Sequence, residues 1–347
     1  MATLQELLSR LVEHEDLTAE ETGAVMDSVL TESASAVTVA AFLAALRVKR
    51  ETPEEVLGLV TAMLAHALPL AVDGRALDIV GTGGDGLHTV NISTMAALTA
   101  AGAGVTVVKH GNRAATSKTG TADVLEALGV RLDLPPARVA EIADEVGITF
   151  AFAQSFHPAM RFTMPIRKEI GVPTTFNILG PLANPAQPAA SAIGSSSLRV
   201  SPVMAGVLAH QGREGVVFHG DDGMDELAPT CAATVWEVRG GGVTELRLDP
   251  TADLDVPSIE LAELIGGEAH QNAAVALAYL EGTGSRAVRD TVLINAAAGL
   301  VADATLPGTA SGTIAERMRA GMEHARAAVD SGAARDVLAR LVAATQA

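Results

Sequence analysis

Two stretches of this chain carry the residue types best suited to binding a ligand or taking part in a reaction. The first reads LDIVGTGGDG and then NIST, so an apolar strand leads into glycines and one aspartate before a helix opens. The second reads VTVVKHGNRAATSKTG, in which another apolar strand leads into lysine, arginine and hydroxyl groups. Backbone N–H groups at a helix N-terminus, cationic side chains and hydroxyl groups all bind anions. Together the two loops predict a site for a small, highly phosphorylated molecule.

The glycine-rich turn also matches the GxGxxG pattern of dinucleotide-binding folds. Such folds place an acidic residue at the end of the second strand, where it binds the ribose hydroxyls. Here the second strand ends in the basic run at 109–113, which suits phosphate groups instead. The sequence therefore disfavours a dinucleotide. Simple helix capping by the NIST segment remains an alternative to anion binding.

Adjacent carboxylates, Asp225 and Glu226, follow the apolar strand pattern GVVFHG. Oxygen ligands on a loop suit a hard cation such as Mg²⁺, which often bridges to substrate phosphates. Acidic turns are common, so the pair carries weight only because the same chain has the two anion-binding loops. The sequence shows neither a Cys/His spacing typical of zinc nor a G-x-S-x-G nucleophile motif.

A further basic stretch, HPAMRFTMPIRK, contains Arg167, whose guanidinium group could bind a substrate carboxylate. A charge on a surface helix is the simpler interpretation of this arginine from spacing alone. His110 and His157 are candidate bases, but histidines without a supporting motif are more often hydrogen-bonded structural residues.

The composition argues against several classes of function. The 41 acidic residues outnumber the 24 Lys and Arg residues, giving a net charge of −17, whereas nucleic-acid-binding proteins usually present a basic field. Cys231 is the single cysteine, which excludes an intrachain disulfide and fits a reducing cytoplasm. The N-terminus lacks a signal-peptide pattern, and the uncharged run at 87–108 contains polar residues and glycines. We expect a cytoplasmic protein with no nucleic-acid partner and no membrane association.

The elements that position these residues fall into two parts. Residues 1–70 predict only helices, with a capping box at Thr18 and a helix start at Thr52, where a proline and two glutamates follow. From Leu77 onward, apolar strands alternate with helices, which predicts a mostly parallel sheet covered on both faces. The strand candidates are 77–80, 105–108, 147–152, 191–194, 215–220, 234–238 and 244–248. Alanine-rich helices follow from about 258.

Residues 171–198 contain no charged side chain and include four prolines. This composition indicates irregular crossing segments and a hinge between two domains.

The chain as a whole resembles the anthranilate phosphoribosyltransferases of tryptophan biosynthesis. The resemblance extends over nearly the whole chain and rests on an ordered set of segments: GTGGDG, NIST, KHGNRAATSKTGTADVLEALG, FHPAMR, GVPTTFNILGPLANP, GMDE and RDTVLINAAAGL. It implies an α/β fold with a small N-terminal helical domain and a larger α/β domain whose central sheet is mostly parallel and flanked by helices. The implied boundaries are 1–72, completed by part of 165–190, and 73–347, with hinge segments near 160–190. Homodimers would form through the small domains.

The resemblance also implies a reaction. The 5-phosphoribosyl group of 5-phosphoribosyl 1-diphosphate would pass to the amine of anthranilate, with two Mg²⁺ ions per active site. The residues implied for the diphosphate substrate are Gly81, Gly84, Asp85, Thr89, Asn91, Ser93, Thr94, Lys109, His110, Gly111, Asn112, Arg113, Ala114, Ala115, Thr116, Ser117 and Thr121. Those implied for anthranilate are Gly81, Asn112 and Arg167, with Arg167 near its carboxylate. One magnesium would be held by Ser93 and Glu226, and the other by Asp225 and Glu226.

Some positions depart from the common pattern of this family. Thr121 stands where serine is frequent, Ala183 replaces a usual threonine, and Gln154 replaces a usual proline. The sequence assigns no acid/base residue, and either water or a histidine could accept the amine proton. Two other functions remain open: a pyrimidine nucleoside phosphorylase of related fold, and a paralogue that uses a substituted anthranilate.

Overall fold

The computed structural model describes residues 2–114 and 118–347. Its N-terminal part consists of helices α1 (Leu4–Val12), α2 (Ala19–Leu30), α3 (Ala36–Lys49) and α4 (Pro53–Ala65). The side chains of Thr18 and Thr52 each accept a hydrogen bond from the backbone N–H three residues later, and a glutamate completes the capping box. The predicted starts of these two helices are therefore confirmed.

Within the described residues, seven strands form a single sheet, in the order β3-β2-β1-β4-β5-β6-β7. The strands are β1 (Leu77–Gly81), β2 (Val107–Gly111), β3 (Ile148–Phe152), β4 (Ala190–Gly194), β5 (Glu214–Gly220), β6 (Ala233–Arg239) and β7 (Gly242–Leu248). Strands β1 to β5 pair in parallel, with Leu77 of β1 opposite Val107 on one side and Ala190 on the other. β6 and β7 pair antiparallel at one edge. The predicted, mostly parallel sheet is confirmed.

The remaining helices cover both faces of this sheet. They are α5 (Ile92–Gly102), α6 (Thr121–Ala127), α7 (Pro136–Val146), α8 (Ala153–Phe156), α9 (Thr163–Ile170), α10 (Phe176–Leu182), α11 (Ser201–His210), α12 (Pro250–Leu254), α13 (Ala269–Leu280), α14 (Arg286–Asp303), α15 (Ile314–Asp330) and α16 (Ala333–Gln346). Short 3₁₀ helices occur at Pro158–Phe162 and Leu261–Leu264. Across the described part of the chain, no helix has both the length and the apolar character needed to cross a membrane.

Successive residues of a strand face opposite sides of the sheet and therefore pack into different hydrophobic cores, as β5 shows. Val216 of β5 packs with the core that contains α5 and α14 to α16. Its neighbour Val217 packs with the core that contains α1 to α4, α10 and α11. The sheet thus separates the N-terminal helices from the C-terminal ones.

The prediction that 171–198 forms irregular crossing segments is wrong for α10. Phe176, Leu179 and Leu182 repeat at helical spacing and are buried in the core shared with the N-terminal helices. The absence of charge in this segment therefore reflects burial, since an uncharged helix can enter the core at low desolvation cost.

Candidate active site

The carboxyl ends of the parallel strands meet at one edge of the sheet. The chain moves outward from β1 to β2 and β3, and then returns to the other side of β1 at β4. The strand order therefore reverses between β1 and β4, and in such sheets ligands bind in the crevice at this point. The predicted loops after β1, β2 and β5 all begin at this edge.

The glycine-rich loop, residues 81–86, lies directly against the loop that follows β5. The N–H of Gly83 donates to Oδ2 of Asp225 over 2.7 Å. A Cβ atom on Gly81 would lie only 2.2 Å from the same carboxylate oxygen. Gly83, Gly84 and Gly86 have φ values of 63°, 84° and 75°, which L side chains rarely adopt. Glycine is therefore required here both for close approach and for backbone conformation.

Three carboxylates meet beside this loop and form an acidic cluster of Asp85, Asp225 and Glu226. One oxygen of each lies within 4.8 Å of the others. Oδ2 of Asp85 and Oε2 of Glu226 are buried and have no hydrogen-bond partner in the described residues. Burial, and next the charge of Asp85, raises the pKa of Asp225; burial and both neighbouring carboxylates raise the pKa of Glu226. A divalent cation would offset this repulsion, so the donor set fits Mg²⁺.

The start of α5 lies beside the acidic cluster and is tied to distant parts of the chain. Asn91 does not cap its own helix. Its Nδ2 donates to the carbonyl of Thr119 over 3.3 Å, and its Oδ1 accepts from Nδ2 of Asn272 over 2.9 Å. These bonds leave the first turn of α5 without a side-chain cap at the edge of the crevice, as an anion site requires.

The hydroxyl groups around α5 differ in their surroundings. Oγ1 of Thr89 donates to Oε1 of Glu226 over a long 3.4 Å, whereas Thr94 is buried and its hydroxyl has no partner in the described residues. Oγ of Ser93 accepts from Nζ of Lys109 over 3.1 Å. The Lys109 ammonium is buried between β1 and this serine, and burial lowers its pKa to about 8.

Lys109 and His110 belong to β2, which extends beyond the apolar run that the sequence assigned to the strand. Nδ1 of His110 lies 3.0 Å from the carbonyl of Gly180 in α10. Burial, together with the neighbouring His157, lowers the pKa of His110 to about 3. Lys109 and His110 are both buried: a backbone carbonyl pairs with Nζ of Lys109 and another with Nδ1 of His110, whereas Nε2 of His110 has no partner in the described residues.

The loop after β2 turns sharply into α6. Gly111 packs against Thr121, and the N–H of Ala114 donates to Oδ2 of Asp123 over 3.1 Å. The Arg113 guanidinium forms ion pairs with Asp123 and Glu126 of α6, so its charge is directed to that helix. The predicted phosphate contacts at 115–117 lie outside the described residues.

Asn112 presents its side chain at the surface of the same loop. Its Oδ1 accepts from the N–H of Arg113 over 2.8 Å and from Nε2 of Gln154 over 3.2 Å. Because the oxygen is already paired, the amide nitrogen is the group left to donate to a ligand.

Arg167 lies on α9, with its guanidinium carbon 5.8 Å from the ring centre of Phe176. The side chain is half-buried, and burial lowers its pKa. No acidic residue in the described part of the chain pairs with it, and no hydrogen bond there joins it to the acidic cluster. An unpaired, partly desolvated guanidinium is suited to a carboxylate ligand.

The chain is similar to known proteins over nearly its whole length. A family model described as "Glycosyl transferase family, helical bundle domain" matches residues 5–67, and one described as "Glycosyl transferase family, a/b domain" matches 73–335. The anthranilate phosphoribosyltransferase of Arthrobacter sp. (strain FB24) is 54% identical, over 99% of this chain and 96% of its own length. That of Nocardioides sp. (strain ATCC BAA-499 / JS614) is also 54% identical, over 99% of both chains.

The chain belongs to the anthranilate phosphoribosyltransferase family. The crystal structure of the enzyme from Thermus thermophilus is 41% identical and superposes with a TM-score of 0.90, covering 98% of this chain and 99% of that one. The Saccharomyces cerevisiae enzyme in complex with PRPP and Mg is 26% identical, with a TM-score of 0.86 and coverage of 99% and 98%. The N-terminal helical domain and the larger α/β domain are thus confirmed.

In this family member the structure also reveals residues that the sequence analysis missed. Asp78, in the middle of β1, accepts from Nδ2 of Asn184 over 2.9 Å and from the N–H of His110 over 3.2 Å. Ser196 contacts the glycine-rich loop, and Asn272 contacts Asn91. None of these lies in a recognisable local pattern, since each acquires its role from a partner distant in sequence.

Proposed function

We propose that the protein transfers the 5-phosphoribosyl group from 5-phosphoribosyl 1-diphosphate to the amine of anthranilate. The products are N-(5-phosphoribosyl)anthranilate and pyrophosphate, and the reaction is the second step of tryptophan biosynthesis. One observation carries this proposal: the acidic cluster lies against the glycine-rich loop at the point where the strand order reverses. Carboxylates beside backbone N–H donors suit a diphosphate that arrives with Mg²⁺.

Asp225 and Glu226 of the acidic cluster would hold the magnesium together with Ser93. The unpartnered, buried oxygens of Asp85 and Glu226 support this assignment, because they lack any other source of compensation in the described part of the chain. Ser93 accepts one hydrogen bond from Lys109, so its hydroxyl oxygen keeps a second lone pair for a cation. Two ions per site, one at Ser93 and Glu226 and one at Asp225 and Glu226, are part of the proposal. When bound, Mg²⁺ neutralises charge on the diphosphate and makes pyrophosphate a better leaving group.

The rest of the diphosphate substrate would lie along the two loops after β1 and β2. The glycine-rich loop and the first turn of α5 would supply N–H donors, and the loop after β2 would supply further N–H groups at 111–114. Arg113 forms ion pairs with Asp123 and Glu126 of α6. We therefore expect it to stabilise the conformation of this loop.

Two residues, Arg167 and Asn112, would hold the acceptor, anthranilate. Arg167 would bind the carboxylate, because its half-buried guanidinium has no acidic partner in the described residues. Asn112 would contribute its Nδ2 donors, since its Oδ1 is already occupied.

The reaction is a displacement at the anomeric carbon of ribose, in which the amine attacks and the configuration inverts. The protein's contribution is to orient the two substrates, and such positioning lowers a barrier by about 7–11 kcal/mol. His110 and His157 are not available as bases, because both are buried and face the carbonyls of Gly180 and Ala183 over 3.0 and 2.9 Å. Water is therefore the proposed proton acceptor.

Finer features of the family extend the proposal. The helical domain would span 1–72, be completed by part of 165–190 and form the homodimer contact, with the α/β domain over 73–347 and a hinge near 160–190. Burial of Phe176 and Leu179 among the N-terminal helices supports the completion. Val37 and Val48 of α3, which are 80% and 72% exposed, support an interface there. A cytoplasmic location remains a prediction.

The test is the fluorescence of anthranilate, followed in time with purified protein, Mg²⁺ and 5-phosphoribosyl 1-diphosphate. Signal loss that requires all components would establish the transferase. With folded protein and no loss, the same assay with substituted anthranilates tests the paralogue. Phosphorolysis of pyrimidine nucleosides tests the phosphorylase, and activity there alone would refute the proposal.

A further inference from the structure

Ser196 lies just beyond the end of β4 and contacts the glycine-rich loop in several ways. Its Oγ donates to the carbonyl of Gly83 over 2.8 Å. Its backbone N–H donates to Oγ1 of Thr82 over 3.1 Å, and the two hydroxyl groups lie 3.3 Å apart. A Cβ on Gly84 would lie 3.8 Å from Oγ of Ser196. The serine therefore covers one side of the loop.

Asp225 holds the other side of the same loop. Its Oδ2 accepts from the N–H of Gly83 over 2.7 Å, whereas Ser196 binds the carbonyl of Gly83. Both backbone polar groups of this glycine are therefore held by side chains: the N–H by Asp225, and the carbonyl by Ser196 and by Oγ1 of Thr82, which donates to it over 3.1 Å. The loop at 81–86 is attached at its centre as well as at its ends.

The loop needs such attachment because of its composition. Glycines lose more conformational freedom on ordering than any other residue, and Gly83, Gly84 and Gly86 all have positive φ. A loop that is already ordered before the ligand arrives binds it more tightly, because the ordering entropy is not lost on binding.

We propose that Ser196 is a positioning residue of the donor site, whose hydroxyl holds the glycine-rich loop in the conformation that binds the diphosphate. This inference rests on the proposed function. It assigns to Ser196 no contact with the substrates and no role in the acceptor site. Loss of the hydroxyl should therefore weaken binding of the donor selectively.

The adjacent serines provide a matched control. The Ser195 hydroxyl donates to the carbonyl of Ser197 over 3.2 Å and stabilises the turn itself. The Ser197 side chain is half-buried like that of Ser196, but its hydroxyl forms no hydrogen bond within the described residues. Ser197→Ala removes the same atom from the same turn without affecting the loop.

The experiment compares the wild type, Ser196→Ala, Ser197→Ala and Ser196→Thr by steady-state kinetics with each substrate varied in turn. One neutral hydrogen bond corresponds to about a fivefold change in affinity. Ser196→Ala should therefore raise KM for 5-phosphoribosyl 1-diphosphate about fivefold, with kcat and KM for anthranilate nearly unchanged. Ser197→Ala should match the wild type, and Ser196→Thr, which keeps the hydroxyl, should recover most of the loss. Equal changes in both KM values, or the same change in Ser197→Ala, would overturn the proposal.

A binding measurement separates this inference from the proposed function. The rise in melting temperature on adding 5-phosphoribosyl 1-diphosphate and Mg²⁺ reports donor binding without an acceptor. A rise that is smaller in Ser196→Ala than in Ser197→Ala supports the role of Ser196, whatever the acceptor is. Equal rises refute that role alone, whereas no rise and no turnover in the wild type refute the donor assignment and the role together.

Discussion

A Cβ atom placed on Gly194 would lie 1.6 Å from the backbone oxygen of Asp225. Gly194 is the last residue of β4, and its lack of a side chain lets the loop after β5 lie directly on the strand end. Gly81, at the end of β1, likewise has no side chain that would clash with the Asp225 carboxylate. The position of Asp225 beside the glycine-rich loop therefore depends on glycine at the ends of two neighbouring strands.

Gly194→Ala should displace Asp225 and lower kcat/KM by about tenfold or more, since misplaced positioning groups have costs of that order or greater. Gly180→Ala is the control, because a Cβ at Gly180 would meet no atom within 4 Å beyond its chain neighbours and its own helix backbone. Circular dichroism should show that both variants are folded, and kinetics should show that only Gly194→Ala has lower activity. Equal activities would contradict the required contact.

Asp225→Asn and Glu226→Gln should lower turnover about 100-fold and shift the magnesium dependence to higher concentration, because each removes a charged ligand. Asp221→Asn is the control, since Asp221 pairs with Arg247 at the surface of the same loop. Magnesium titrations of activity measure the effect. If both variants gave magnesium titrations like that of the wild type, Asp225 and Glu226 would not be magnesium ligands.

Arg167→Ala should raise KM for anthranilate about tenfold and leave KM for the diphosphate nearly unchanged, because a hydrogen bond to a charged group is lost. Lys168→Ala, at the exposed next position of α9, should have little effect. Initial rates with each substrate varied provide the comparison. A similar rise in both KM values would show that Arg167 does not bind the acceptor carboxylate.

Acid should destabilise the protein through its buried histidines. Burial lowers the pKa of His110 to about 3 and that of His157 to about 4, from the ordinary histidine value of 6.5. Below pH 6.5 the unfolded chain therefore binds more protons than the folded one. The stabilisation that comes from the neutral, buried rings is therefore fully present above pH 6.5. It is lost as the pH falls toward the folded-state pKa values, about 4 for His157 and about 3 for His110.

Each histidine should contribute up to about 1.4 kcal/mol per pH unit to the decline in the free energy of unfolding. Urea denaturation between about pH 7 and pH 5 should show a shallower decline for His110→Asn than for the wild type. A wild-type slope in His110→Asn would contradict the neutral, buried state of that ring.

Local pattern was sufficient for most of the secondary structure. The β-branched runs that became β1 and β5 and the threonine caps at Thr18 and Thr52 are recognisable from neighbouring residues alone. Local pattern did not predict that β2 extends through Lys109 and His110, and it did not predict helix α10. In both cases tertiary burial overrides the local signal, because partners elsewhere satisfy polar groups or cover apolar ones.

The sequence by itself determined the types of group at the site: glycines for a tight loop, N–H and hydroxyl donors for phosphate, and carboxylates for a cation. Only the tertiary structure decided which of them meet. Asp85 joins Asp225 and Glu226, and Ser196 reaches Gly83, although more than 100 residues separate the partners. The physical reason is the parallel sheet, which brings strand ends distant in sequence to one edge and places their loops in contact.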